Sequence, residues 1–127
     1  MGSQADAFAW LKATRMQSFK LIETVLEDGG TEIEIHGELD LAVADQLRRA
    51  IERADGEQLL ISLASCEFID STGIAVIVRA SQADGRKLVV HSPSAQALRI
   101  LEVTGLMGNG LVFEDRREAL SACASVD

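Results

Sequence analysis

Residues 67–78 read Glu67-Phe68-Ile69-Asp70-Ser71-Thr72-Gly73-Ile74-Ala75-Val76-Ile77-Val78, and the fold turns on how this stretch is folded. Its β-branched residues allow a hairpin around an Asp70–Gly73 turn. The same residues allow a loop running into a helix over 72–83, with Ile74, Ile77, Val78 and Ser81 inward. Length favours the helix, because the segment continues through Arg79-Ala80-Ser81-Gln82-Ala83 before Asp84-Gly85 ends it. The next segment agrees. Lys87–His91 reads as a strand, and pairing it with an earlier one needs a crossover. Composition by itself leaves both readings open.

Outward from this stretch the chain alternates strand-like and helix-like segments. Phe19–Leu26 reads as a strand, Asp28-Gly29-Gly30 as a turn, and Thr31–His36 alternates apolar and polar with period two, as a half-buried strand does. A hairpin is the simplest connection. Asp40 is placed to cap a helix in which Leu41, Ala44, Leu47, Ile51 and Ala54 recur at helical spacing, with Gly56 closing it. Leu59–Leu63 is continuous in apolar character, the pattern of a strand covered on both faces. Pro93 suits the first turn of a helix through Ala97, Leu98, Leu101 and Val103, stopped by Gly105. Leu111–Phe113 reads as a short last strand and Glu114–Ala124 as a final helix. Residues 1–17 read as an N-terminal extension, mobile or partly tag-derived, although the loose helical spacing of Phe8, Leu11 and Arg15 also allows a short docking helix.

Composition narrows the function. With 127 residues the chain fits one domain, and 47% hydrophobic against 25% charged residues is the profile of a globular protein. A net charge of −8 disfavours nucleic acid and anionic membrane surfaces, which need clustered Lys and Arg. Cys66 and Cys123 form no CxxC pair, and only His36 and His91 accompany them, so no metal-ligand spacing exists and two reduced thiols are expected. Both histidines read as strand-end residues. Neither a signal peptide nor an apolar run long enough to span a bilayer is present in the sequence. The expectation is a cytoplasmic protein without metal or cofactor.

Three segments carry a family resemblance. "HGELDLAVADQLRRAIERA", "FIDSTGIAVIVRA" and "LRILEVTGL" together resemble STAS-domain proteins, in particular bacterial anti-sigma factor antagonists. GELD, DSTG and TGL in this order and spacing are specific in combination, and the match covers roughly Phe19 to Leu120. Ser62 departs from the common pattern, where an Asp often stands. The resemblance implies an α/β fold, a single STAS domain over residues 18–124. Its small mixed sheet of roughly four to five strands would pack against about four helices, one of them after DSTG.

It also implies a mechanism. In that family the unphosphorylated antagonist binds an anti-sigma factor that is also a serine kinase, and frees the sigma factor. The kinase phosphorylates the Ser of the motif, the complex dissociates, and a serine phosphatase reverses the step. Carried onto this sequence, the phosphoacceptor is Ser71, with Asp40, Asp70, Thr72 and Gly73 in partner binding or kinase recognition. At a helix start, a phosphate would meet unpaired backbone N–H groups and the helix dipole. Gly73 would leave room for a kinase to approach the backbone. Repulsion between the phosphate and Asp40 or a partner carboxylate, with about 3 kcal/mol retained, weakens binding roughly a hundredfold. Ser71, Asp70 and Asp40 each have a plain alternative as helix caps, and Thr72 offers a second hydroxyl. The competing function is a constitutive STAS interaction subunit of a transport or other regulatory complex, with Ser71 as contact surface only. Enzymatic use of Ser71 is disfavoured, since no G-x-S-x-G elbow or neighbouring His is present. A monomer or weak dimer is expected.

Overall fold

The computed structural model describes residues 19–124 except 28 and 84, so the extension expected over 1–17 lies outside the described residues. Strand β1 (Lys20–Val25) pairs antiparallel with β2 (Thr31–Leu39). Gly29, at φ +94°, makes the turn between them, a conformation that a Cβ disfavours. Helix α1 (Leu41–Arg53) follows, then β3 (Gln58–Ser62), β4 (Cys66–Ile69) and helix α2 (Ser71–Ser81). The chain continues through β5 (Lys87–His91), α3 (Ala95–Val103), β6 (Val112–Phe113) and α4 (Arg116–Ala124). The sheet order is β1-β2-β3-β5-β6, with β4 attached to β2, and every pairing except β1 with β2 is parallel.

Period-two alternation distributes the core. Leu59 and Ile61 of β3, with Leu88 and Val90 of β5, face a layer built from Leu47 and Ile51 of α1, Ile74 and Ile77 of α2, and Ala97 and Leu101 of α3. The alternate residues, Leu60 and Val89, face α4 through Ala119 and Cys123. Both faces of β3 and β5 are therefore covered, which is why these strands are apolar without interruption. Arg86 reaches across to close α1, donating from Nη1 to Ile51 O at 2.7 Å and from Nη2 to Ala54 O. Such donors satisfy carbonyls that a helix end leaves open.

Four details differ from the sequence reading. Residues 71–81 are helical, so the helix begins one residue before Thr72 and ends two before Ala83. Strand β2 runs on through Gly37, Glu38 and Leu39, because these residues pair with β4. That strand, Cys66–Ile69, was expected as a loop or a hairpin arm. Pro93 precedes α3 rather than entering its first turn. Ser94 caps that helix, its Oγ accepting from Ala97 N–H at 3.3 Å while donating to Cys66 O at 2.7 Å.

Candidate functional site

Two helix starts lie side by side at the end of the β2–β4 ladder. Leu39 pairs with Ile69, and Asp70 N–H donates to Leu39 O at 3.2 Å, so the chains leaving β2 and β4 are held one ladder step apart. The next residue on each chain is a carboxylate N-cap. Asp40 Oδ1 accepts from Ala42 N–H at 3.0 Å. Asp70 Oδ1 accepts from Thr72 N–H at 2.9 Å and Gly73 N–H at 3.0 Å. The other oxygen, Asp70 Oδ2, accepts from Leu41 N–H at 3.2 Å, the first residue of the neighbouring helix. Asp70 thus caps its own helix and ties down the start of α1. On the outer side of β4, Gln96 Oε1 accepts from Ile69 N–H at 3.0 Å, so α3 completes the strand that delivers the site.

Ser71, the first residue of α2, is exposed, and Thr72 beside it is partly exposed. Ser71 is not the cap; Asp70 is. This changes the expected reception of a phosphate, because the Thr72 and Gly73 N–H groups are already held by the Asp70 carboxylate. Gly73 also differs from expectation. It is buried, and a Cβ there would lie 2.7 Å from Leu39 Cγ and 3.0 Å from Leu39 O. Its missing side chain makes room for Leu39 inside the protein, not for an approaching kinase. No Lys or Arg occurs in residues 37–45 or 64–78, while Glu38, Asp40, Asp45, Glu67 and Asp70 do.

The sequence reading missed a buried polar cluster on the opposite face. Glu32 on β2 is 6% exposed and His91 on β5 is 3% exposed. His91 Nε2 lies 2.6 Å from Glu32 Oε2, and Nδ1 lies 2.7 Å from Ser92 Oγ. A carboxylate only accepts, so Nε2 carries the proton. Arg116 at the start of α4 grips the same carboxylate from Nε at 3.0 and 3.1 Å and from Nη2 at 2.9 Å. Burial pushes the Glu32 carboxyl up, but the bonds from Arg116 and His91 outweigh it and hold it below its ordinary value. The signal was present in pieces: an acid on the alternating strand, a histidine ending an apolar strand and an arginine opening the last helix.

Both cysteines are buried thiols, and burial pushes the Cys66 thiol up to about 11. His36 bonds Glu34 at 3.2 Å, and His91 is taken by Glu32 and Ser92, so no hydrogen bond joins either ring to Ser71. A serine nucleophile needs such a base.

A mostly parallel sheet, with three helices on one face and one on the other, defines a small α/β domain that presents a hydroxyl between capped helix starts. The chain belongs to the STAS domain family: the family profile described as "Mlab, STAS domain" matches residues 22–113. It is 30% identical over 91 residues to the anti-sigma-B factor antagonist of Staphylococcus aureus (strain NCTC 8325 / PS 47), covering 67% of this chain and 84% of that one. Among solved structures, an anti-sigma factor antagonist from Mycobacterium paratuberculosis matches with TM-score 0.73 at 22% identity, over 85% of this chain and 96% of that one. The anti-sigma factor antagonist SpoIIAA in its unphosphorylated form matches with TM-score 0.66 at 18% identity, over 85% and 99%. These structural likenesses carry the fold alone; the helix that follows DSTG is seen in this chain itself.

Proposed function

We propose that this protein is an anti-sigma factor antagonist of the cytoplasm, switched by phosphorylation of Ser71. Unphosphorylated, it binds an anti-sigma factor serine kinase and frees the sigma factor; phosphorylated, it is released until a serine phosphatase restores it. The observation that carries this reading is an exposed Ser71 opening α2 directly after Asp70, with the neighbouring N–H donors already occupied by that carboxylate. A phosphate there adds roughly −1.5 to −2 charges beside carboxylates in a stretch with no basic residue. In water that repulsion is screened. A partner that excludes water from the site strengthens it, so the penalty falls on the complex rather than on the free protein. The curated relative's name supports the reading, and such a protein regulates by binding rather than by catalysis.

The test is incubation with the anti-sigma serine kinase of the same genome and ATP, followed by intact-mass measurement of wild type and Ser71→Ala. One phosphoryl group on the wild type and none on the variant supports the switch; phosphorylation of both moves the acceptor, Thr72 being the nearest alternative. The family match is to the STAS domain as such, which also accommodates a second reading, a constitutive interaction subunit of a transport or other regulatory complex. In that case Ser71→Glu binds its partner complex as wild type does and no kinase modifies the chain.

A further inference from the structure

We propose that Leu41 and Phe68 are the apolar anchors that seat this protein on the catalytic face of the anti-sigma serine kinase. The inference rests on the reading of Ser71 given above. Among the described residues, the large apolar side chains left in water are Ile22, Val25, Leu41, Phe68 and Val103. Two of these five sit at the candidate site. Leu41, 73% exposed, follows the cap Asp40, and its N–H is held by Asp70. Phe68, 41% exposed, precedes Asp70 by two residues and pairs with Glu38, which precedes Asp40 by two. Both residues therefore lie within about 10 Å of Ser71 by strand rise and ladder spacing.

A kinase that phosphorylates Ser71 must place its active site over that hydroxyl. A standard interface buries about 800 Å² per partner, a disc roughly 16 Å in radius, and a disc centred on Ser71 covers both residues. Binding energy in such a footprint concentrates in side chains that become fully dry. The carboxylates are poor candidates, because Asp40 and Asp70 already spend oxygens on backbone N–H groups. Leu41 and Phe68 have everything to gain from leaving water. Their placement also sharpens the switch: a phosphate on Ser71 must then be dehydrated among apolar contacts and carboxylates, a cost that the unmodified hydroxyl does not bear.

The test measures binding to the anti-sigma factor kinase of the same genome, with ADP in place of ATP, by titration calorimetry. Leu41→Ala and Phe68→Ala should each weaken binding on the order of ten- to a hundredfold. Val25→Ala is the control. Val25 is as exposed as Leu41, at 76%, but pairs with Thr31 at the far end of β2, eight residues and about 26 Å from Leu39. It should leave affinity unchanged. Unaltered urea midpoints establish that the variants are folded; should Phe68→Ala fail this, Leu41→Ala, whose side chain lies outside the core, decides alone. Ser71→Glu is measured alongside. If it is released while the Leu41 and Phe68 variants bind as wild type does, the anchors are wrong and the switch stands. If Ser71→Glu binds like wild type, the switch falls, and the anchors are judged on their own variants.

Discussion

Replacing Glu32 by Gln keeps the shape of the side chain and removes its charge, so the substitution isolates what the buried cluster contributes. The carboxylate holds two partners, His91 at 2.6 Å and Arg116 at 2.9 to 3.1 Å. Hydrogen bonds to a charged group contribute about 1.5–3 kcal/mol each, against roughly 1 for neutral ones. Gln keeps a neutral bond to His91, since a tautomer shift lets the ring accept from the new amide, and Arg116 keeps only a bond to the amide oxygen in place of an ion pair. The loss per partner is then about 1 kcal/mol, and the Arg116 share is reduced because its side chain is 48% exposed. The expected total is about 1.5–2 kcal/mol at neutral pH, a sizeable part of a typical stability of about 5–15 kcal/mol. The pH dependence follows from the sign of the shift. Glu32 titrates in the folded protein below its ordinary 4.5, so its contribution is complete above that value and is lost as pH falls through the lower, folded one. Urea unfolding followed by circular dichroism, on wild type and Glu32→Gln at several pH values, measures the gap. It should be full at pH of about 7 and close progressively below about 4.5. A gap under about 0.5 kcal/mol at neutral pH, or one unchanged down to pH of about 3, refutes the argument.

Further outcomes follow from the site. Gly73→Ala must push Leu39 aside and should cost about 1–3 kcal/mol in urea unfolding; a neutral result would mean that the α2 start shifts freely. Asp70→Ala removes the acceptor of three N–H groups and Asp40→Ala that of one. The expected costs are about 2 and 1 kcal/mol, and equal costs would count against Asp70 tying the two helices together. In the native protein Cys66 should resist iodoacetamide at a pH of about 8 while reacting promptly in denaturant. Intact mass reports this, and rapid native alkylation of Cys66 would contradict its burial.

How much of this was legible in the sequence depended on range. The caps at Asp40 and Asp70 are local signals, a carboxylate directly before a helical pattern, and both occur as read. The helix after DSTG was ambiguous in composition because β-branched residues fill it; the need for a crossover to β5 favoured it, and the family resemblance decided it. Strand β4 was not legible. Four residues with only their ends buried show no period, and their partner, β2, lies about thirty positions earlier. Glu32 was placed correctly on the non-core side of an alternating strand, yet that side is covered as well, by α4 and Arg116, over eighty positions away. The role of Gly73 was misread for the same reason, since Leu39 reaches it only in the folded chain.

The pairing of Leu39 with Ile69 bears on how such a protein can change allegiance. Because the two helix starts are spaced by backbone hydrogen bonds, their separation does not depend on which side chains the helices display. The outward positions of α1, among them Leu41, Ala42, Gln46 and Arg49, can therefore drift under selection while Ser71 stays at the same address. On the switch proposed above, duplicated copies of this domain within one genome can diverge toward separate partners, each keeping the same serine and the same ruler beneath it.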